Sequence, residues 1–146
     1  MLFDDGTSSV NLSIIRYEFP DGEGVSDGAD RNWLLLRCTW KREDGEIRQD
    51  SGCYLMTFEL QELTAGLKVL RAGIKSSYTC DFVEPYFTLN ARAEGEDAFF
   101  IEVSFLLQNS MDGDDRAEIA CTMDNAALKN IIEELDAACR RFPPRM

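Results

Sequence analysis

Residues Ser77–Gln108 read SYTCDFVEPYFTLNARAEGEDAFFIEVSFLLQ, and the spacing of the apolar residues within this stretch decides the fold class. Phe87, Leu89, Ala91 and Ala93 alternate with Thr88, Asn90 and Arg92. A turn follows at EGED, Glu94 to Asp97, and then Phe99, Ile101, Val103, Phe105 and Leu107 return at the same spacing. A period of two residues puts every second side chain on one face of a strand, so the stretch predicts a β-hairpin with one apolar face. Glu102 and Ser104 fall on the other face. A further turn at MDGDD, Met111 to Asp115, leads into RAEIACTM, which reads as the last strand.

The residues before the hairpin repeat this pattern. Asn11 to Phe19 is rich in β-branched and aromatic residues, but its apolar phase shifts from Leu12 and Ile14 to Ile15, Tyr17 and Phe19. Such a shift predicts a bulge or sharp twist near Ile14. NWLLLRCTWKRE, from Asn32, reads as a strand with Leu34, Leu36, Cys38 and Trp40 on one face. EDG at Glu43 to Gly45 is a turn signal, and EIRQDSG returns as a hairpin partner. Trp33, Trp40, Tyr54 and Phe58 are expected in the core.

Two segments change to helical spacing. Leu60, Leu63, Leu67 and Leu70 follow Thr57, read as the cap, with Glu59 in the first turn and Gly73 as the stop. Asp124 caps a second helix whose apolar stripe is Leu128, Ile131, Ile132, Leu135 and Cys139, with Glu133, Glu134 and Asp136 outward. Arg140 and Arg141 suit the negative end of that helix, and Pro143 and Pro144 end it. The expectation is a single α+β domain over residues 1–146, an antiparallel β-sheet of about six strands with two packed helices. An acidic, glycine-rich loop spans residues 20–32.

Charge and composition narrow the function. Of 146 residues 27 are acidic and 15 basic, a formal net charge of −12. A nucleic-acid backbone or an anionic membrane is repelled by such a chain, and a basic protein is its natural partner. There is no histidine, which removes the usual general base near neutral pH and the commonest zinc ligand. The five cysteines are odd in number and form no CxxC pair, as expected of reduced thiols in a cytosolic protein. MLFDDGTSSV has neither the basic nor the apolar region of a signal peptide, and no run approaches the about 20 apolar residues that cross a bilayer. The expected location is the cytoplasm.

Candidate chemistries fare poorly. A calcium loop requires the order D-x-[DN]-x-[DN]-G; DGEGVSDGADRN has Val25 at the fifth position, and DGDDRAEIACTM has Arg116 there and Ala117 at the sixth. A carboxylate-dependent hydrolase would need two acids brought together, one of them in an apolar setting. Glu84 and Glu102 are the candidates, although Glu102 also suits an exposed sheet face or a cross-strand pair with Arg92. Cys53, shortly before the first helix, is the candidate reactive thiol. Phosphate-binding loops and basic clusters are absent. The acids instead concentrate at turns, Asp21 to Asp30, Glu43 to Asp50, Glu94 to Asp97 and Asp112 to Asp115. Several such turns on one edge would form a negative rim that steers a basic partner; acidic turns also serve solubility alone.

The order of short motifs carries a resemblance. YEFP at Tyr17 to Pro20, a variable acidic loop, NWL at Asn32 to Leu34, LMTFEL at Leu55 to Leu60, EP at Glu84 and Pro85, and FPPR at Phe142 to Arg145 together resemble the WapI-type immunity proteins. The resemblance implies tryptophan in many relatives where this chain has Phe58, and the segment after Leu107 lacks the proline and tryptophan expected at that strand's end. The resemblance implies a bacterial cytosolic protein that binds and neutralises the toxin domain of a polymorphic or contact-dependent toxin. Such an inhibitor breaks no bond and needs no cofactor or metal. Asp21, Glu23, Asp27 and Asp30 are the partner-binding residues suggested by charge. A small hydrolase and a structural or adaptor subunit stand as the alternatives. The oligomeric state and the identity of the toxin are left open.

Overall fold

The structure, a computed structural model, describes residues 1–19, 30–108 and 115–145. Eight strands and two long helices follow one another as β1 (Leu2–Asp4), β2 (Ser9–Tyr17), β3 (Trp33–Lys41), β4 (Ile47–Met56), α1 (Thr57–Arg71), β5 (Ser77–Tyr78), β6 (Phe87–Ala93), β7 (Phe99–Leu106), β8 (Arg116–Met123) and α2 (Asn125–Arg141). A 3₁₀ turn at Asp30–Asn32 leads into β3. The class is α+β, as the periodicities predict. The expected single sheet of about six strands is instead two four-stranded antiparallel sheets, β1-β2-β3-β4 and β5-β6-β7-β8. β4 passes directly into α1, and the strands that follow it pair with one another. The added strands β1 and β5 span only three and two residues, too short to show a period.

Register accounts for which residues reach the core. In the hairpin, Phe87 faces Phe105, Leu89 faces Val103 and Ala91 faces Ile101; all six are buried. Between β2 and β3 the register shifts between Ile14 and Arg16, which is the bulge implied by the change of apolar phase. A second shift, opposite Leu34 and Leu35, places Tyr54 and Leu55 in succession on β4. An extra residue in one strand lets neighbours share a face, and both are buried. Inner residues of the two sheets and the apolar stripes of both helices form one core.

The helix ends are specified locally. Asp124 accepts the Ala127 N–H at 2.8 Å, and Asp97 accepts that of Asn125 at 2.9 Å, so α2 begins on two carboxylates, a favourable charge at the positive end of a helix dipole. At the end of α1, Gly73 takes a φ of +77°, and the Gly73 and Ile74 N–H groups donate to Leu70 and Val69, the Schellman closure that favours glycine. Thr57 is not the α1 cap. The N-cap is Met56, whose N–H donates to the Glu59 carboxylate at 2.9 Å, while the Thr57 hydroxyl turns to Asn32. Among the four aromatics expected inside, Tyr54 is buried, Trp33 and Trp40 are half-buried, and Phe58 is exposed.

Candidate partner-binding surface

Residues Asp21, Glu23 and Asp27 lie outside the described residues; Asp30 opens the 3₁₀ turn and is exposed. What the structure does show is how the two ends of that acidic segment are held. Asn32 is 1% exposed. Its Oδ1 accepts the Thr57 hydroxyl and the Arg145 backbone N–H, each at 2.7 Å, and its Nδ2 donates to the Arg145 carbonyl at 2.8 Å. A buried amide with its groups satisfied is a specific tie, because any other arrangement leaves polar atoms without water or partner.

On the other side of the segment, the Tyr17 hydroxyl donates to the Pro143 carbonyl at 2.7 Å. The Tyr17 ring meets Phe142 edge-on at 5.3 Å, and the Arg145 guanidinium lies 3.4 Å from the ring centroid. Arg145 also donates to the Phe19 carbonyl at 2.8 Å. The C-terminal FPPR segment therefore clasps both Phe19 and Asn32, the flanks of the acidic loop. Residues from YEFP, NWL, LMTFEL and FPPR converge here. Sequence reasoning recognised these motifs by order alone, and the structure gives them a common task, which is architectural.

The remaining motif, EP at Glu84 and Pro85, is approached through Glu59 of LMTFEL. This residue is 6% exposed; besides the Met56 N–H it accepts the Val83 N–H at 2.6 Å. Burial pushes its carboxyl above the ordinary glutamate range, the two backbone donors oppose that rise, and Glu62 and Glu84 add to it. Glu59 was legible only as a first-turn acid; its bond across 24 residues to the segment before Glu84 and Pro85 has no local signature.

Among the described residues, the Glu94–Asp97 turn lies apart from Asp115. Arg48 on β4 pairs with Asp115 at 2.5 Å, which brings the end of the β7–β8 connection to the strand that follows Glu43–Glu46. The Glu94–Asp97 turn lies at the opposite end of β7, eight residues away, a strand length of roughly 26 Å. Several of these acids also have local employment: Asp44 accepts the Glu46 N–H, Glu94 pairs with Arg92, and Asp97 caps α2. Asp5 holds the Thr7 and Ser8 N–H groups, chiefly through which its carboxyl falls to about 2.

The other candidate chemistries find little in this geometry. Glu102 faces Asn90 across the hairpin and sits in an open groove with Glu118, Ser104 and Thr88. Glu84 belongs to the loop before β6 and does not line that groove. The cross-strand pair of Glu102 with Arg92 is not formed; Arg92 instead stacks 4.3 Å from the Phe100 ring and pairs with Glu94 at 2.9 Å. All five cysteines are free. Burial, with help from Glu18, pushes the Cys53 thiol up to about 11, and burial raises Cys38 to about 12, the reverse of what a nucleophilic thiol needs. Among the described residues no cluster of three or more acids or cysteines is placed to hold a metal ion, and no helix is long and apolar enough to cross a membrane. The first calcium-like stretch falls mostly outside the described residues, and the second passes into β8.

No curated protein matches the chain. A model of the Immunity protein WapI-like family matches residues 1–143, nearly the full length, and the chain belongs to that family.

Proposed function

We propose that this protein binds a cognate toxin domain in the cytoplasm of the producing bacterium and neutralises it without catalysis. The observation that carries the reading is membership of an immunity family over residues 1–143 in a chain of net charge −12. Many toxin domains must hold phosphates and so present basic clefts, and an acidic inhibitor fits such a cleft by imitating its substrate's charge. The absence of histidine fits a role that requires only a rigid scaffold and a complementary surface. In this reading Asp21, Glu23, Asp27 and Asp30 meet the toxin. The clasp of Phe19 and Asn32 supports that role, because anchored flanks limit the conformational entropy lost when the loop is bound.

The test is co-expression with the toxin domain encoded beside this gene, scoring growth and then isolating the pair. Rescue of growth with a stable complex is the expected result. Continued killing at matched expression, or the absence of a toxin gene beside this one, refutes the reading.

A further inference from the structure

The first turn of α1 and the loop of residues 79–86 make a second surface next to the clasp. Thr57 is tied to Asn32, Phe58 beside it is 44% exposed, and Glu59 bonds to Val83, which is 69% exposed. Three residues further on, Tyr86 is 38% exposed. Three of the six large apolar residues exposed among those described thus lie on two segments joined by one carboxylate; Leu2, Ile47 and Ile74, the others, lie on β1, at the start of β4 and beyond α1.

The loop that carries Val83 and Tyr86 is anchored along its length. Phe82 stacks on Phe87 at 5.7 Å, the Tyr86 ring lies 5.4 Å from that of Tyr54, and the Tyr86 carbonyl accepts the Leu106 N–H at 2.8 Å. A backbone anchored in this way loses little further freedom when a partner covers its exposed side chains. Acids predominate around them, with Arg116 donating to the Pro85 carbonyl at 3.3 Å. Glu62 and Glu84 are the charged groups that act on buried Glu59, and Asp81 is exposed in the same loop. An apolar centre with a charged, wet rim is the anatomy of a binding surface.

Resting on the immunity reading above, we infer that Phe58, Val83 and Tyr86, rimmed by Glu62, Asp81 and Glu84, seat the toxin domain through an apolar recess edged by lysine and arginine. The surface adjoins the base of the acidic loop through Thr57 and Asn32. The loop supplies long-range attraction and this face supplies the contact that sets how long the complex lasts.

The experiment measures association and dissociation rates for the toxin domain encoded beside the gene, with wild type, Phe58→Ala, Val83→Ser, Glu62→Lys, and the loop variant with Asp21, Glu23, Asp27 and Asp30 replaced by their amides. Phe58 is 44% and Val83 69% exposed, outside the buried core, and retention of the fold in these two variants is checked by thermal unfolding. Each is expected to speed dissociation by roughly tenfold or more. Glu62→Lys weakens binding, most strongly at low salt. Affinities of Phe58→Ala and Val83→Ser within twofold of wild type overturn the inference while leaving the immunity reading standing. Wild-type protein that neither binds nor protects overturns both.

Discussion

Replacement of Asn32 by alanine tests the clasp directly. Among the described residues, the side chain makes hydrogen bonds at 2.7, 2.7 and 2.8 Å to Thr57 and to both backbone groups of Arg145. At about 1 kcal/mol net for each bond, their loss costs about 3 kcal/mol. The figure is not offset by solvation at Thr57, which is 0% exposed, because its hydroxyl is left without water as well as without its partner. In a domain of this size that corresponds to a fall in Tm of roughly 6–12 °C. The assay is thermal and urea unfolding of wild type, Asn32→Ala, a truncation after Phe142, and the combination. In the truncated background the bonds to Arg145 are already gone, so the substitution costs only about 1 kcal/mol, leaving a coupling of about 2 kcal/mol. A cost below about 0.5 kcal/mol in the intact chain, or an equal cost in both backgrounds, refutes the reasoning.

Glu59→Gln removes one of the two acceptors that Met56 and Val83 need and destabilises by about 1–3 kcal/mol. Because burial raises the Glu59 carboxyl in the folded state, the folded form holds its proton more tightly than the unfolded form. The stability this group contributes is therefore full below the ordinary value of 4.5 and declines as pH rises through the higher folded value. The penalty of Glu59→Gln, read from urea midpoints between acid and neutral pH, shrinks as pH rises; a penalty that grows refutes the assignment. Gly66→Ala in α1 gains helix propensity but sets a methyl group against the Tyr78 ring. It is expected to destabilise by about 1–3 kcal/mol, and a stabilised variant in chemical denaturation contradicts the packing. Neutralising Asp21, Glu23, Asp27 and Asp30 is expected to slow association with the toxin domain at low salt and leave unfolding unchanged; an unaltered on-rate reduces the segment to a solvated connection.

The chain's own pattern was sufficient for its longer elements and insufficient for β1, β5 and the assembly of the sheets. Alternation from Phe87 to Leu107 specified a hairpin because the pleat alternates with the same period of two, and Leu60, Leu63, Leu67 and Leu70 specified α1 because helical geometry repeats near that spacing. Asp124 as a cap, Gly73 as a stop and the bulge after Ile14 were legible for the same reason: each is an interaction between residues a few positions apart. The division into two sheets was not legible, since either arrangement gives β2 to β4 and β6 to β8 the same buried faces. Nor was the clasp, in which Asn32 meets Arg145 across 113 residues and Tyr17 meets Pro143 across 126. Net charge, absence of histidine and motif order are properties of the chain as written, and they pointed to an immunity protein before any contact was known. The tasks of Asn32, Glu59 and Arg145, and the exposure of Phe58, depend on which distant backbone groups the fold delivers to each side chain. Only tertiary structure decides that, because a buried polar group is satisfied by whatever lies within hydrogen-bonding distance in space, at any separation along the chain.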